Sequence, residues 1–184
     1  NGQFSGINNI IFDEGFDKID FKYSFKNKEL GFLDIKAQKS KGRLFAGYKY
    51  NLDKEEHLVW GNIVKIPLRE ITHYKSLPLN LNGTLNGIVK GRFNKNNKDG
   101  KVELNLTDTK IAGESESNSY VQAKWKDEIV SLDGNFLGRK LEVSSDLNLK
   151  NKNKNRLAVN LDLPDINELL NILTFVDAGD KKIE

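Results

Sequence analysis

The sequence predicts a mainly β chain: a long antiparallel meander with one apolar face, followed by one short C-terminal helix. Three observations predict it. Apolar and polar residues alternate with period two along most of the chain, as in Ile19, Phe21, Tyr23 and Phe25 against Asp20, Lys22, Ser24 and Lys26. Turn residues interrupt the alternation at fairly even spacing, and short turns join antiparallel neighbours. A helical period appears once, near the end.

The elements follow in order. After Ile19–Phe25 and a turn at Asn27-Lys28, Leu33, Ile35 and Ala37 repeat the pattern on one face. A turn at Ser40-Lys41-Gly42 leads to Leu44, Ala46, Tyr48 and Tyr50. A less regular strand covers Leu58 to Ile66 and includes Trp60. Pro67 to Pro78 read as an irregular connection with one short helical turn at Leu68-Arg69-Glu70-Ile71. The second half alternates more cleanly. Leu79, Leu81, Leu85 and Val89 share a run with Gly83, Gly87 and Gly91, and Asn97 to Gly100 are expected to turn. Val102, Leu104 and Leu106 follow, then Val121, Ala123 and Trp125. After a turn at Asp127-Glu128 come Val130, Leu132 and Phe136. Beyond Gly138-Arg139 stand Leu141, Val143, Ser145, Leu147 and Leu149, and beyond an Asn/Lys turn Leu157, Val159, Leu161 and Leu163. Clean alternation implies one wet and one apolar face. Asp165 and Glu168 have capping-box spacing, and Ile166, Leu169, Leu170, Leu173 and Val176 then keep the helical period. The division expected is strands over 1–66, a connection over 67–78, strands over 79–163 and a helix over 165–177.

Composition narrows the function classes. The chain has 184 residues, 38% hydrophobic and 30% charged, which suits a folded chain rather than a disordered one. No run approaches the about 18 apolar residues of a spanning helix. Basic and acidic residues number 29 and 26 and are well mixed, with no evident basic stripe interleaved with aromatics, so no nucleic-acid partner is expected. Without Cys, thiol catalysis, disulfides and thiolate metal sites are excluded. The absence of Met and the opening Asn1-Gly2-Gln3 lead us to expect a piece of a longer protein, with any signal or anchor outside it.

Catalytic motifs are not found. His57 and His73 have no metal-ligand spacing and read as loop or surface histidines. No nucleophile elbow, P-loop or dinucleotide fingerprint occurs. Neither an enzyme nor a cofactor is therefore expected. Glu114, Glu116, Asp127 and Glu128 read as solvated turn carboxylates. The glycines spaced by four at 83, 87 and 91 would share a face with the leucines, relieving crowding there or leaving room on the apolar face. Trp60 and Trp125 are expected to face inward.

The run from Leu79 to Gly91, LNLNGTLNGIVKG, resembles the LxGxLxGxxxG segments of TamB and AsmA-like proteins. Leu157 to Leu170, LAVNLDLPDINELL, is similar to that family's strand-to-helix ending. The likeness covers roughly Leu79 to Val176. It implies a sheet curled into an open trough, a β-taco, with a greasy interior. It further implies a periplasmic portion of a protein anchored in the inner membrane of a diderm bacterium. Function by resemblance is conduction of phospholipid between the membranes, support of outer-membrane protein assembly, or both. An Omp85-type outer-membrane barrel would be a partner through another part of the full chain, and phospholipid acyl chains would be the ligand. The lining expected is Leu79, Leu81, Leu85, Val89, Val102, Leu104, Leu106, Val121, Ala123, Trp125, Val130, Leu132, Phe136, Leu141, Val143, Leu147, Leu149, Leu157, Val159 and Leu161. Two other readings stand beside it. One is a closed barrel or sandwich serving as an adhesin or carbohydrate-binding module; the other is a β-augmentation platform that pairs client strands.

Overall fold

The computed structural model describes residues 1–11, 13–72, 81–111, 114–115, 118–136 and 141–162. Its strands are β1 (Gly2–Ile11), β2 (Glu14–Lys26), β3 (Glu29–Lys39), β4 (Gly42–Asn51), β5 (Glu56–Pro67), β6 (Leu81–Phe93), β7 (Lys98–Ile111), β8 (Glu114–Ser115), β9 (Ser119–Lys126), β10 (Ile129–Phe136), β11 (Leu141–Asn148) and β12 (Arg156–Leu161). Every pairing is antiparallel and, apart from the short β8 beside β7, the spatial order follows the chain. The predicted class, an open antiparallel meander, is the observed one. The sheet of described strands is not closed into a barrel, since β1 and β12 each pair on one side only. The expected helix over 165–177 and the turn at Gly138-Arg139 lie outside the described residues.

The hairpins have local causes. Asn27 and Lys28 both take positive φ (50° and 57°), as a two-residue type I′ connection requires. At the β9–β10 turn Asp127 alone takes positive φ (54°). The turn expected over Asn97–Gly100 sits instead at Asn94–Asn97. There the Asn94 side-chain oxygen accepts the N–H groups of Asn96 and Asn97 at 2.9 and 2.7 Å, so β7 begins earlier, at Lys98. The irregular connection contains a 3₁₀ turn at Leu68–Glu70, close to the helical turn expected there. Strand β1 falls within the strand region expected over 1–66, although no individual strand was assigned ahead of Ile19.

Three bulges shift the register. Each puts one extra residue, with positive φ, into one strand: Asp34 in β3, Lys65 in β5 and Asp108 in β7 (53°, 53° and 52°). The displaced N–H of Lys65 donates to the Asn86 side-chain oxygen at 3.0 Å. Bulges bend a strand and increase its twist, and so curl the sheet.

Substantial contacts between strands run only between sheet neighbours, so no second layer covers either face among the described residues. Only Ile19, Ala37, Ile66 and Leu68 are buried apolar side chains there. All four lie toward one end of the strands, where the 3₁₀ turn packs against β6. Glu14, Lys39 and Thr72 tie the same end together. Lys39 forms an ion pair with Glu14 and donates to the Gly15 carbonyl at 2.6 Å, while Thr72 donates its N–H to Glu14 at 2.9 Å.

Candidate functional site

Residues opposite one another in register share a face of a sheet. Following the pairs therefore reconstructs each face row by row. One row runs Tyr23, Phe32, Tyr48, Val59, Gly91, Gly100, Trp125, Val130 and Leu147. The next runs Ile35, Ala46, Gly61, Val89, Val102, Ala123, Leu132, Ser145 and Leu157, and a third runs Ile19, Ala37, Leu44, Ile63, Gly87, Leu104, Val121, Gly134, Val143 and Val159. The side-chain hydrogen-bonding groups in these rows are the tyrosine hydroxyls, the Ser145 hydroxyl and the Trp125 indole N–H, and that N–H is buried with no partner among the described residues. Beside them Leu85 pairs with Leu106, and Phe136 pairs with Leu141, which pairs with Leu161.

Of the twenty expected lining residues, seventeen thus stand on one face: Leu85, Val89, Val102, Leu104, Leu106, Val121, Ala123, Trp125, Val130, Leu132, Phe136, Leu141, Val143, Leu147, Leu157, Val159 and Leu161. Leu81 lies in β6 opposite Ile111, Leu149 lies just past β11 and is exposed, and Leu79 is outside the described residues. The face is open to solvent toward β12, where Leu157 is 71% exposed and Val159 59%.

The same face continues across β1–β5, which the expected lining left out. There it is aromatic. Phe4 stacks on Phe21 (4.9 Å), Phe21 meets Phe32 edge-on (5.8 Å), and Phe32, Tyr48 and His57 follow at 6.3 and 6.1 Å. Phe93, opposite His57, stacks on Trp125 at 5.7 Å, and carries the ladder into β9. The signal was available in the alternation around Ile19–Phe25. His57 is no loop residue: it sits in β5, stacked on Tyr50 at 4.4 Å, with Nδ1 bonded to the Tyr48 hydroxyl at 2.8 Å. His73 is outside the described residues.

Two further expectations change. Leu33 does not share the face of Ile35 and Ala37; the bulge at Asp34 reverses parity, so Leu33 pairs with Lys22 while Phe32 takes the apolar side. Trp60 does not face inward either. It pairs with Gly47 and Lys90 on the polar face, because Val59 on one side and Gly61 on the other occupy the apolar rows. Trp125 is on the apolar face as expected.

The spaced glycines relieve crowding. A Cβ on Gly87 would fall 2.7 Å from Leu104 Cδ2, on Gly83 2.9 Å from Leu106 Cδ1, and on Gly91 2.6 Å from the Phe93 ring. Their larger neighbours therefore lie across the glycines. Trp125 likewise lies over Gly100, where a Cβ would come within 2.1 Å of its ring. The result is a low apolar surface.

The opposite face is ionic. Ser5 donates to Asp20 (2.5 Å), Lys22 pairs with Asp34 (2.8 Å), Lys49 with Glu29 (2.9 Å), and Glu103 accepts from Lys101 (2.7 Å) and Gln122 (2.6 Å). The Ser5 hydroxyl, then Lys18, hold the Asp20 carboxyl below the usual range; Lys22 does so for Asp34, and Lys101 for Glu103. Such exposed pairs fix which way the strands face more than they stabilise the fold. Among the described residues no three His, Asp or Glu side chains cluster at metal-binding distances, and no helix is long and apolar enough to cross a membrane. Neither protein-family models, nor curated proteins, nor solved structures give a match to this chain.

Proposed function

We propose that the apolar face is an acyl-chain surface, and that the chain is a non-catalytic segment of a TamB/AsmA-like conduit carrying phospholipid between inner and outer membranes. The observation that supports it best is the unbroken apolar row from Tyr23 to Leu147, with no layer packed over it among the described residues. Each methylene removed from water gains about 0.8 kcal/mol, so such a face holds acyl chains without head-group contacts. At about 4.8 Å per strand, the ten intervals from β1 to β12 span about 50 Å, several lipid chains long. A periplasmic location, an inner-membrane anchor elsewhere in the full protein and an Omp85-type partner belong to the same proposal and rest on the resemblance of Leu79–Gly91 and Leu157–Leu170.

The experiment is site-specific photocrosslinking in the full-length protein in cells. A photoreactive residue at Leu104 or Leu147 should capture phospholipid, and one at Glu103, on the other face, should not. Equal capture from both faces, or none from Leu104, would refute the reading. Leu104→Asp should block passage while leaving the protein folded. Support for outer-membrane protein assembly is the second reading, favoured by the β12 edge, which is unpaired among the described residues and all six residues of which are exposed. A client strand crosslinking to Ala158 or Asn160 rather than to Leu104 would distinguish it.

A further inference from the structure

The polar face carries a feature that acyl-chain binding does not use. Register sets Trp60, Lys90, Lys101 and Lys124 side by side in one line across β5, β6, β7 and β9. In the adjoining line Arg92 and Lys126 flank Asp99. These side chains border a shallow depression of about 590 Å³ whose lining includes a single carboxylate, Asp99. Like charges directly opposite one another destabilise a sheet, yet three lysines are lined up here. Nearby acids answer two of the five cations: Arg92 Nε lies 3.6 Å from Glu56, and Lys101 Nζ 2.7 Å from Glu103. Lys90 and Lys126 have no ion-pair or hydrogen-bond partner among the described residues, and Lys124 has only the longer-range attraction of Glu103. The line begins at an indole lying flat. The Trp60 ring spreads over Gly47, where a Cβ would come within 2.1 Å of it, and remains 38% exposed.

A ligand that fits is linear, offers a flat apolar ring at one point, and repeats a negative charge at about the 4.8 Å spacing of strands. A single-stranded nucleic acid stacks a base for nearly every phosphate and is met by repeated aromatics; this line has one indole to three lysines. A sugar chain with an acid group on each residue has the matching repeat and needs only one stacking platform. We propose that this line binds an acidic polysaccharide, one sugar ring on Trp60 and successive acid groups on Lys90, Lys101 and Lys124. The proposal uses the opposite face from the acyl-chain surface and stands independently of it.

The test is calorimetric titration of the chain with a galacturonate hexamer, a neutral maltohexaose and an oligothymidylate. The galacturonate hexamer should bind, more weakly as salt rises, and the neutral sugar should not. Lys124→Glu, the milder Lys90→Gln and Trp60→Ala, each checked for native circular dichroism, should weaken binding about tenfold or more. Lys18→Glu, on the polar face of β2, should leave it unchanged. Absence of galacturonate binding, tighter binding of the oligothymidylate, an equal loss in Lys18→Glu, or full binding by Trp60→Ala would each overturn the proposal.

Discussion

Glu14 and Lys39 form the best-shielded ion pair of the described fold, and replacing Glu14 by Gln tests whether that end of the sheet depends on it. Their side chains are 17% and 10% exposed, against 60% and 63% for the Lys22–Asp34 pair. Breaking a fully buried pair costs about 3–5 kcal/mol, because the surviving charge is stranded. Here Lys39 keeps the Gly15 carbonyl at 2.6 Å and the Phe16 ring at 5.6 Å, and a Gln can still accept from Thr72. The expected loss is therefore about 2 kcal/mol, or about 4–8 °C in Tm for a chain of this size. The pH dependence has a definite sign. Desolvation raises the Glu14 pKa, but Lys39 and the two Thr72 donors outweigh it and hold the carboxyl below its ordinary 4.5. A carboxyl lowered in the fold contributes stability above its unfolded pKa and loses it as pH falls through the folded value. The gap between wild type and Glu14→Gln should thus be full near neutrality and close below about pH 4. Thermal melts by circular dichroism measure it, with Lys39→Met and the double variant completing a mutant cycle. A melting shift within about 1 °C, or a gap that widens on acidification, would refute the reasoning.

Three further outcomes are expected. Gly42→Ala should cost about 2–3 kcal/mol in urea melts, since its Cβ would lie 2.6 Å from Ile66 Cα and 2.7 Å from the Lys65 carbonyl, both backbone atoms; Gly61→Ala, with nothing nearer than 3.5 Å, should stay within about 0.5 kcal/mol of wild type. Asp34→Val should cost about 1–2 kcal/mol, because a β-branched residue resists the φ of 53° at that bulge, whereas Asp34→Gly should be near neutral, the pair with Lys22 being exposed. Val159→Lys, on the β12 edge that is unpaired among the described residues, should reduce concentration-dependent association measured by light scattering, while the same change at Val130, in a strand paired on both sides, should unfold the chain.

Where the sequence was legible, the backbone was regular. From β9 to β12 no bulge interrupts the ladder, so alternation alone put Val121, Val130, Val143 and Val159 on one face. Where a residue was inserted, parity failed. Asp34 is an ordinary polar residue in an alternating strand, and nothing local marks it as the site where Leu33 changes sides. Trp60 fails for another reason: Leu58, Val59 and Trp60 are all apolar, so only the neighbouring strand, through Tyr48 opposite Val59, decides which of them faces the apolar side. The lysine line was invisible because its members are far apart in sequence and meet only through register. Asn94 was missed because its side chain, not a glycine, makes the turn.

If the apolar face carries acyl chains as proposed, its change of character along the sheet bears on how a lipid would travel. From β1 to β5 the face is an aromatic ladder; from β6 onward it is mainly leucine and valine laid over glycines. A sliding acyl chain exchanges one methylene contact for another, so a uniform aliphatic lining keeps its energy nearly flat. Rings are larger and stiffer than leucines, and the Tyr48 hydroxyl with His57 adds a polar contact among them. A chain leaving the aliphatic half therefore meets a step at the β5–β6 boundary rather than a continuation. Through-flow requires that step to stay below a few RT, about 2 kcal/mol, which three or four methylene contacts suffice to offset. The glycines sit on the aliphatic side of the boundary: Gly91 and Gly100 let Phe93 and Trp125 lie flat, so the rings extend the surface instead of standing across it. On this account Gly91 and Gly100 matter to passage by keeping the step low, not by opening a hole, and enlarging them would obstruct movement before it weakened binding.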